Sequence, residues 1–250
     1  IYGGAFVIKT ATALKARIKN KAGGDSNRSQ IILRIYMMER LLERLSLSKY
    51  RDNFVLKGGL LVSSLVGVDM RSTMDIDTTI KSLSLNKDNA LKVLEEIIAI
   101  DLGDEVSFSV TRVQEIMEGH EYEGVRFMIE CSLDKLKQII KIDISTGDEI
   151  TPREVSYKLP LVLEDRVLDL WAYNIETLLS EKLETIMVRA EANTRMRDFY
   201  DIHILLKSQN IDADILALAL ERTAKKRGNF NLLENAESVL KVVKSDEDMK

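Results

Sequence analysis

The sequence has few of the residues that break or cross-link a polypeptide chain. Its 250 residues include 2 prolines, 12 glycines and 1 cysteine. Few prolines and glycines, together with many leucines, isoleucines, glutamates and lysines, predict abundant helix and little disorder. The single cysteine, Cys131, excludes an internal disulfide framework and favours a reducing compartment.

Other absences narrow the choice of compartment and chemistry. No signal peptide and no apolar run long enough to cross a membrane is visible in the sequence, so we expect a cytoplasmic protein. The two histidines, His120 and His203, lack the spacing of a zinc site. The net charge of −4 argues against a protein that coats nucleic acid through its overall field, but it leaves a local basic groove open.

Residues 54–66 combine three short patterns in sequence. Residues 54–56 are apolar and predict a buried strand, Gly58-Gly59 predicts a tight turn, and residues 60–66 predict a short helix. A helix that begins after glycines offers unpaired backbone N–H groups and a partial positive charge, and a phosphate can approach its main chain closely. We therefore expect Gly58 and Gly59 to bind nucleotide phosphates.

Two aspartates follow in the next predicted strand, where Asp75 and Asp77 flank Ile76. Residues two apart in a strand point to the same face, so the two carboxylates should project together. Close carboxylates repel each other unless a cation lies between them, and Mg²⁺ prefers carboxylate oxygens together with substrate phosphates. The pattern predicts a metal site next to the phosphate site.

A third carboxylate comes from a later strand. Strands are predicted over residues 106–113, 124–133 and 138–145, and the last carries Lys141 and Asp143 on one face. A buried carboxylate is costly without a partner or a metal. We therefore expect Asp143 to be a third ligand beside Asp75 and Asp77, with an exposed edge-strand aspartate as the alternative.

The predicted elements divide the chain into a helical lead (residues 1–50), a mixed core (residues 51–165) and a helical C-terminal domain (residues 166–250). The only two prolines, Pro152 and Pro160, predict a linker or excursion over residues 148–165. The helices are expected over residues 9–21, 25–46, 86–100, 175–189, 197–207, 212–226 and 232–243.

Two of the late helices carry unusual charges. Lys182 lies within an apolar periodic pattern, where it could reach a triphosphate or pair with Glu181 or Glu184 at the surface. Asp198 and Asp201 are three residues apart, which predicts one helical face. From spacing alone, a helix cap or ordinary ion pairs explain these two aspartates as well as a functional role does.

Several short motifs occur in a fixed order between roughly residues 50 and 205. They are Leu56-Lys57-Gly58-Gly59, Arg71-Ser72-Thr73-Met74-Asp75-Ile76-Asp77, Lys141-Ile142-Asp143, Ser180-Glu181-Lys182 and Arg197-Asp198-Phe199-Tyr200-Asp201. In this order they resemble the nucleotidyltransferase toxins of the AbiEii/AbiGii abortive-infection group. The resemblance implies an α+β (mixed α/β) fold with a polymerase-beta-like nucleotidyltransferase core and a helical C-terminal domain.

The resemblance also implies roles for individual residues. Asp75, Asp77 and Asp143 would hold two Mg²⁺ ions and carry catalysis. Lys182 would contact the triphosphate, and Asp198 would belong to the last catalytic motif. The nucleotide-binding residues would be Lys57, Gly58, Gly59, Arg71, Thr73 and Lys182.

The implied activity is transfer of a nucleoside monophosphate from an NTP to an acceptor hydroxyl. The expected acceptor is the 3′ end of tRNA, which would inhibit translation, and the expected partner is a separately encoded antitoxin. Three alternatives are open. They are nucleotide transfer to a protein hydroxyl, a metal-dependent glycosyltransferase that uses Asp-x-Asp, and a non-catalytic binding module with the same fold.

Overall fold

The computed structural model describes residues 7–67, 73, 75–83, 86–118, 121–189 and 196–234. The helices are α1 (Ala11–Ala22), α2 (Ser26–Leu47), α3 (Gly58–Val66), α4 (Lys87–Ile98), α5 (Ile175–Arg189), α6 (Met196–Ser208), α7 (Ala213–Lys226) and α8 (Asn231–Glu234). The strands are β1 (Phe54–Lys57), β2 (Asp75–Ile80), β3 (Ser107–Glu118), β4 (Glu121–Leu133), β5 (Leu136–Thr146), β6 (Val155–Pro160) and β7 (Val167–Ala172). The predicted α+β (mixed α/β) fold class is confirmed.

Local side chains explain where the first helices begin and end. α1 follows Thr10 and α2 follows Asp25, and each side chain accepts a hydrogen bond from a backbone N–H of the first turn. Gly23, with φ of +63°, ends α1 in the left-handed conformation that glycine adopts without strain. The helices predicted over residues 9–21 and 25–46 are therefore confirmed, with ends shifted by one or two residues.

The described chain forms two compact units. The first contains the residues up to Gly147 together with Ser156–Ala172, and the second contains Asp148–Val155 and the residues from Tyr173 onward. The domain boundaries proposed after residues 50 and 165 stay a prediction.

One seven-stranded sheet has the order β3-β4-β5-β2-β1-β7-β6. β2 pairs with β5, and β1 with β7, in parallel, whereas the pairs β1–β2, β3–β4 and β4–β5 are antiparallel. In the centre of the sheet one face is buried, with Ile76, Phe127 and Ile142 at most 3% exposed. The residues that alternate with these, including the three predicted acids, lie on the opposite face.

Two strands were not predicted. The expected linker over residues 148–165 is wrong in part, because β6 lies within it and ends at Pro160. β6 stands last in the strand order, and an edge strand tolerates proline because one side of its backbone needs no ladder hydrogen bond. β7 buries Leu168 and Leu170 and exposes Val167 and Asp169, which is strand alternation directly before the predicted helix.

Helix α2 carries charged side chains into the interior of the first unit. Arg44 donates to both carboxylate oxygens of Asp104, at 2.9 and 2.8 Å, and both residues are buried. Glu43 lies between Arg40 and Arg166, at 2.8 and 2.7 Å. We call this group the α2 ion cluster; its members are Glu39, Arg40, Glu43, Arg44, Asp104, Glu164 and Arg166.

Glu39 is a buried acid of the α2 ion cluster. One of its carboxyl oxygens accepts a hydrogen bond from the Val162 backbone N–H at 2.7 Å. Burial raises the pKa of Glu39 to about 8, although the Val162 N–H and Arg40 act in the opposite direction. The Glu39 side chain therefore keeps its proton at neutral pH.

The second unit is mainly helical. Asn174 accepts a hydrogen bond from the Thr177 N–H at 2.7 Å at the start of α5, and its amide donates to the carbonyls of Thr151 and Arg153. Ser180 on α5 and Thr223 on α7 join the two helices through a buried hydroxyl pair at 3.1 Å. The helical C-terminal part implied by the resemblance is confirmed. Within the ranges given above, no helix has the length and hydrophobicity needed to cross a membrane.

Candidate active site

Four charged side chains form a row across the centre of the sheet. Lys57 on β1 pairs with Asp77 on β2, Asp77 with Asp143 on β5, and Asp143 with Arg126 on β4. Residues paired in this way lie side by side on one face of a sheet. We call these four residues the carboxylate row, in which two adjacent acids are flanked by a cation on each side.

A second pair of charges lies next to the carboxylate row. Asp75, two residues before Asp77, pairs in register with Lys141, which is two residues before Asp143. Lys141 Nζ lies 2.7 Å from Asp75 Oδ2 and 3.7 Å from Asp143 Oδ2. The three predicted acids are therefore neighbours on one face of the sheet, as strand alternation and pairing together require.

Arg126 binds the third acid through both of its oxygens. Its Nε donates to Asp143 Oδ1 at 2.8 Å, and its Nη2 donates to Oδ2 at 2.7 Å. Two parallel charge-assisted hydrogen bonds of this kind hold a carboxylate in one orientation. Asp143 therefore has a fixed position next to Asp77.

The glycine pair fits closely around Asp77. Gly58 begins α3 with φ of +64°, and a Cβ atom there would lie 2.7 Å from the Asp77 Cγ, which is an overlap. The Gly59 N–H donates to Asp77 Oδ2 at 3.3 Å. Glycine is therefore needed at position 58 for both its backbone conformation and its small size. The tight turn that the sequence predicts at Gly58-Gly59 is the beginning of helix α3.

Burial and negative neighbours disfavour the charged form of Asp77. Burial makes the largest contribution to its raised pKa, and the Asp143 carboxylate raises the pKa further. The Lys57 ammonium and the Gly59 N–H lower the pKa, but they do not compensate. A cation near Asp77 and Asp143 would therefore be bound favourably, because it would offset their repulsion.

The donor chemistry of this site fits a divalent cation such as Mg²⁺. Asp75 and Asp77 provide carboxylate oxygens on one strand, and Asp143 lies beside them. In the described part of the chain, no group of three or more acidic, histidine or cysteine side chains is arranged ready to hold a metal. Lys141 and Arg126 bind the carboxylates instead, so a metal would take over part of the charge compensation that these two residues provide.

The other predicted nucleotide-binding residues of this region differ in their positions. Thr73 is buried, and its hydroxyl donates to the Asp75 carbonyl at 3.2 Å. Lys57 stands at the end of the carboxylate row. Arg71 lies outside the described residues.

Lys182 and Asp198 form a cluster with Asp201 within the second unit, which we call the Lys182 cluster. Lys182 Nζ on α5 lies 2.9 Å from Asp198 Oδ1 and 2.7 Å from Asp201 Oδ2, both on α6. Asp201 is fully buried. Glu181 and Glu184, the partners considered for Lys182 from the sequence, are bound by Arg227 instead.

Arg126 and Asp201 were not among the predicted site residues. The sequence places Asp201 three residues from Asp198 on one helical face, but this spacing fits an ordinary ion pair equally well. Arg126 could have been found from the β4–β5 hairpin, in which Leu133 pairs with Leu136 across a two-residue turn. Counting back along both strands from this pair places Arg126 opposite Asp143.

Solved structures share this fold. JHP933 from Helicobacter pylori is 20% identical, with a TM-score of 0.50, and the match covers 87% of this chain and 82% of that one. MenT4, a nucleotidyltransferase toxin from Mycobacterium tuberculosis H37Rv, is 18% identical, with a TM-score of 0.56, and the match covers 82% and 68%. At these identities the likeness shows the fold alone. No curated protein matches the sequence.

The family is shown by the sequence itself. Residues 40–249 match the profile described as "Nucleotidyl transferase AbiEii toxin, Type IV TA system". The match covers most of the chain and includes the carboxylate row and the Lys182 cluster. The resemblance drawn from the motifs is confirmed: the chain belongs to the AbiEii nucleotidyltransferase toxin family of type IV toxin–antitoxin systems.

Proposed function

We propose that the protein transfers a nucleoside monophosphate from an NTP to an acceptor hydroxyl at the carboxylate row. The observation that carries this proposal is the set of three neighbouring acids, Asp75, Asp77 and Asp143, next to the glycine-led start of α3. Membership of a nucleotidyltransferase family supports the reaction class. Phosphate at the helix start and a divalent cation at the acids are the two requirements of this reaction.

The proposed step has a simple balance. The acceptor oxygen forms a bond to the α-phosphorus. The bond between the α-phosphorus and the oxygen that bridges to the β-phosphorus breaks, and pyrophosphate leaves. We assign the proton of the acceptor hydroxyl to Asp143, whose carboxylate Arg126 holds in one orientation. Mg²⁺, when held by Asp75 and Asp77 with Asp143 beside them, would supply positive charge against the triphosphate and the leaving group.

The remaining charges of the site would bind the nucleotide. We assign the phosphates to Gly58 and Gly59 at the start of α3, assisted by Lys57. Arg71 and Thr73 remain predicted nucleotide-binding residues, and Lys182 and Asp198 remain predicted catalytic residues. A Lys182→Ala variant tests whether the cluster in the second unit takes part in the reaction.

We propose the 3′ end of tRNA as the acceptor, with inhibition of translation as the consequence and an antitoxin as the partner. The match to a toxin family of type IV toxin–antitoxin systems supports the proposal of an antitoxin partner and a cellular target. MenT4, which shares the fold, is itself a nucleotidyltransferase toxin. A protein hydroxyl would use the same chemistry, and transfer of labelled nucleotide in the presence of each acceptor separates the two.

The test is incubation of the purified protein with Mg²⁺, each α-labelled NTP in turn, and total tRNA or a protein extract. We expect label on tRNA with one preferred NTP, and no label with the Asp75→Ala variant. Label on protein alone would replace the proposed acceptor. Absence of label with every NTP, from a protein shown to be folded, would contradict nucleotidyl transfer.

A further inference from the structure

Arg126 is a member of the carboxylate row that comes from a different strand than any of the three acids. Its two hydrogen bonds, at 2.8 and 2.7 Å, use both oxygens of Asp143. A planar guanidinium matches a carboxylate in this two-point geometry, which makes the pair strong and directional. Each Asp143 oxygen therefore already accepts one charge-assisted hydrogen bond from Arg126.

The two partners differ in their freedom to move. The Asp143 side chain is 17% exposed, whereas that of Arg126 is 39% exposed. The neighbours of Arg126 along β4, Val125 and Phe127, are fully buried on the opposite face, so the backbone at this point is fixed. The long arginine side chain can therefore move into solvent while both strands stay in place.

The site contains as many cationic as acidic side chains. The three carboxylates are matched by the three cations Lys57, Arg126 and Lys141. Lys141 is 1.0 Å closer to Asp75 than to Asp143, as its distances of 2.7 and 3.7 Å show. Arg126 is therefore the main counter-charge of Asp143, and a divalent cation arriving at Asp75 and Asp77 would repel it.

We propose that Arg126 is a positioning residue that competes with a divalent cation for Asp143. The inference rests on the proposed function, because it concerns the same carboxylates. With Arg126 in place, metal binding depends on Asp75 and Asp77. Asp143 contributes to metal binding only after Arg126 has left it.

The test is a titration of the full chain with Mn²⁺, followed through the EPR signal of the free ion, without NTP or acceptor. We expect Arg126→Met to tighten Mn²⁺ binding about tenfold, which corresponds to about 1.4 kcal/mol. Asp143→Asn should then weaken binding about tenfold more in the Arg126→Met background than in the wild type. Loss of the negative charge of Asp143 alone has the same effect in both backgrounds. A larger effect in the Arg126→Met background therefore shows that Asp143 binds the metal directly when Arg126 is absent.

Two further variants control for net charge and for folding. Lys135→Met removes one positive charge from the exposed β4–β5 turn, remote from Arg126 along the strand, and should change Mn²⁺ affinity less than about twofold. Arg126→Lys keeps the charge but loses the two-point geometry, so its affinity should lie between those of wild type and Arg126→Met. If circular dichroism shows that Arg126→Met is unfolded, the Mn²⁺ affinity of Arg126→Lys is compared with that of the wild type instead.

The outcomes separate this inference from the proposed function. Equal effects of Arg126→Met and Lys135→Met, or an equal effect of Asp143→Asn in both backgrounds, would overturn the competition. So would absence of Mn²⁺ binding in every folded variant. If the competition is observed but no NTP is transferred, the proposed function fails and the inference about Arg126 stands.

Discussion

The first unit contains two groups of charged residues that satisfy their charges in opposite ways. In the α2 ion cluster, acids alternate with bases and lie in the interior, with Arg40 only 1% exposed. In the carboxylate row, Asp77 and Asp143 lie side by side and the surrounding charges reach solvent, with Asp75 35% exposed. The first arrangement minimises repulsion, whereas the second retains it.

The difference indicates that the α2 ion cluster stabilises the fold, whereas the carboxylate row has a functional role. Alternating buried ions are costly to separate but leave nothing for a ligand to bind. Adjacent carboxylates at a partly exposed position lower stability unless a cation joins them, and such local conflicts occur mainly at functional sites. Variants of each group should therefore affect different properties: stability for the α2 ion cluster, and activity for the carboxylate row.

The largest effect on stability is expected from breaking the bidentate pair of α2. Arg44→Met would leave Asp104 buried without its partner, and the free energy of unfolding should fall by about 3–5 kcal/mol. Urea unfolding measures this change. The double variant Arg44→Met/Asp104→Leu should recover much of the loss. A decrease below about 1 kcal/mol in the single variant would contradict a structural role for the pair.

The next effect concerns activity. Gly58→Ala would place a methyl group against the Asp77 carboxylate, and the rate of nucleotidyl transfer should fall about a hundredfold or more. Gly23→Ala is the matched control, because Gly23 has nearly the same φ, +63°, with nothing within 4 Å of an added Cβ. That variant should lose about 1 kcal/mol of stability and keep its rate. Equal loss of rate in both variants would show that backbone strain, rather than contact with Asp77, is responsible.

The smallest effect is a dependence of stability on pH. Because the pKa of Glu39 is raised from 4.5 to about 8, the folded state binds a proton that the unfolded state releases between these values. Stability from this group is therefore complete below the unfolded pKa and is lost as pH rises through the folded pKa, with a slope of up to about 1.4 kcal/mol per pH unit. Glu39→Gln mimics the protonated form and should remove this slope.

Urea unfolding at about pH 6 and about pH 8 measures the effect for wild type and Glu39→Gln. Glu95→Gln, at an exposed position of α4, is the control and should keep the wild-type slope. Parallel slopes for Glu39→Gln and wild type would show that Glu39 is ionised in the folded state at neutral pH.

Local patterns were enough to predict the parts of the fold that depend on neighbouring residues. The glycine-led helix α3, the placement of Asp75 and Asp77 on one face, and the capped helices α1 and α2 follow from short-range geometry. The family was identified from the order of such local motifs. The roles of the individual site residues stay predictions.

Pairing between distant strands was harder to predict. β2 and β5 are parallel neighbours, and nothing within either segment states that Asp77 lies opposite Asp143. β7 pairs with β1 across more than a hundred residues, so no turn links them, and the short alternation of β7 directly before a helix is a weak strand signal. Arg126 was accessible in principle, since the β4–β5 turn sets its register, but this required the hairpin to be recognised first.

The most direct test of the functional role of the carboxylate row is the transfer rate of Asp77→Asn, measured beside its thermal unfolding. Asparagine keeps the shape of Asp77 and removes a buried charge that Asp143 repels. The variant should therefore unfold at the same or a higher temperature than wild type, while its rate falls about a thousandfold or more, equivalent to about 4 kcal/mol. A folded Asp77→Asn protein that transfers nucleotide within about tenfold of the wild-type rate would contradict the assignment of these carboxylates as the active site.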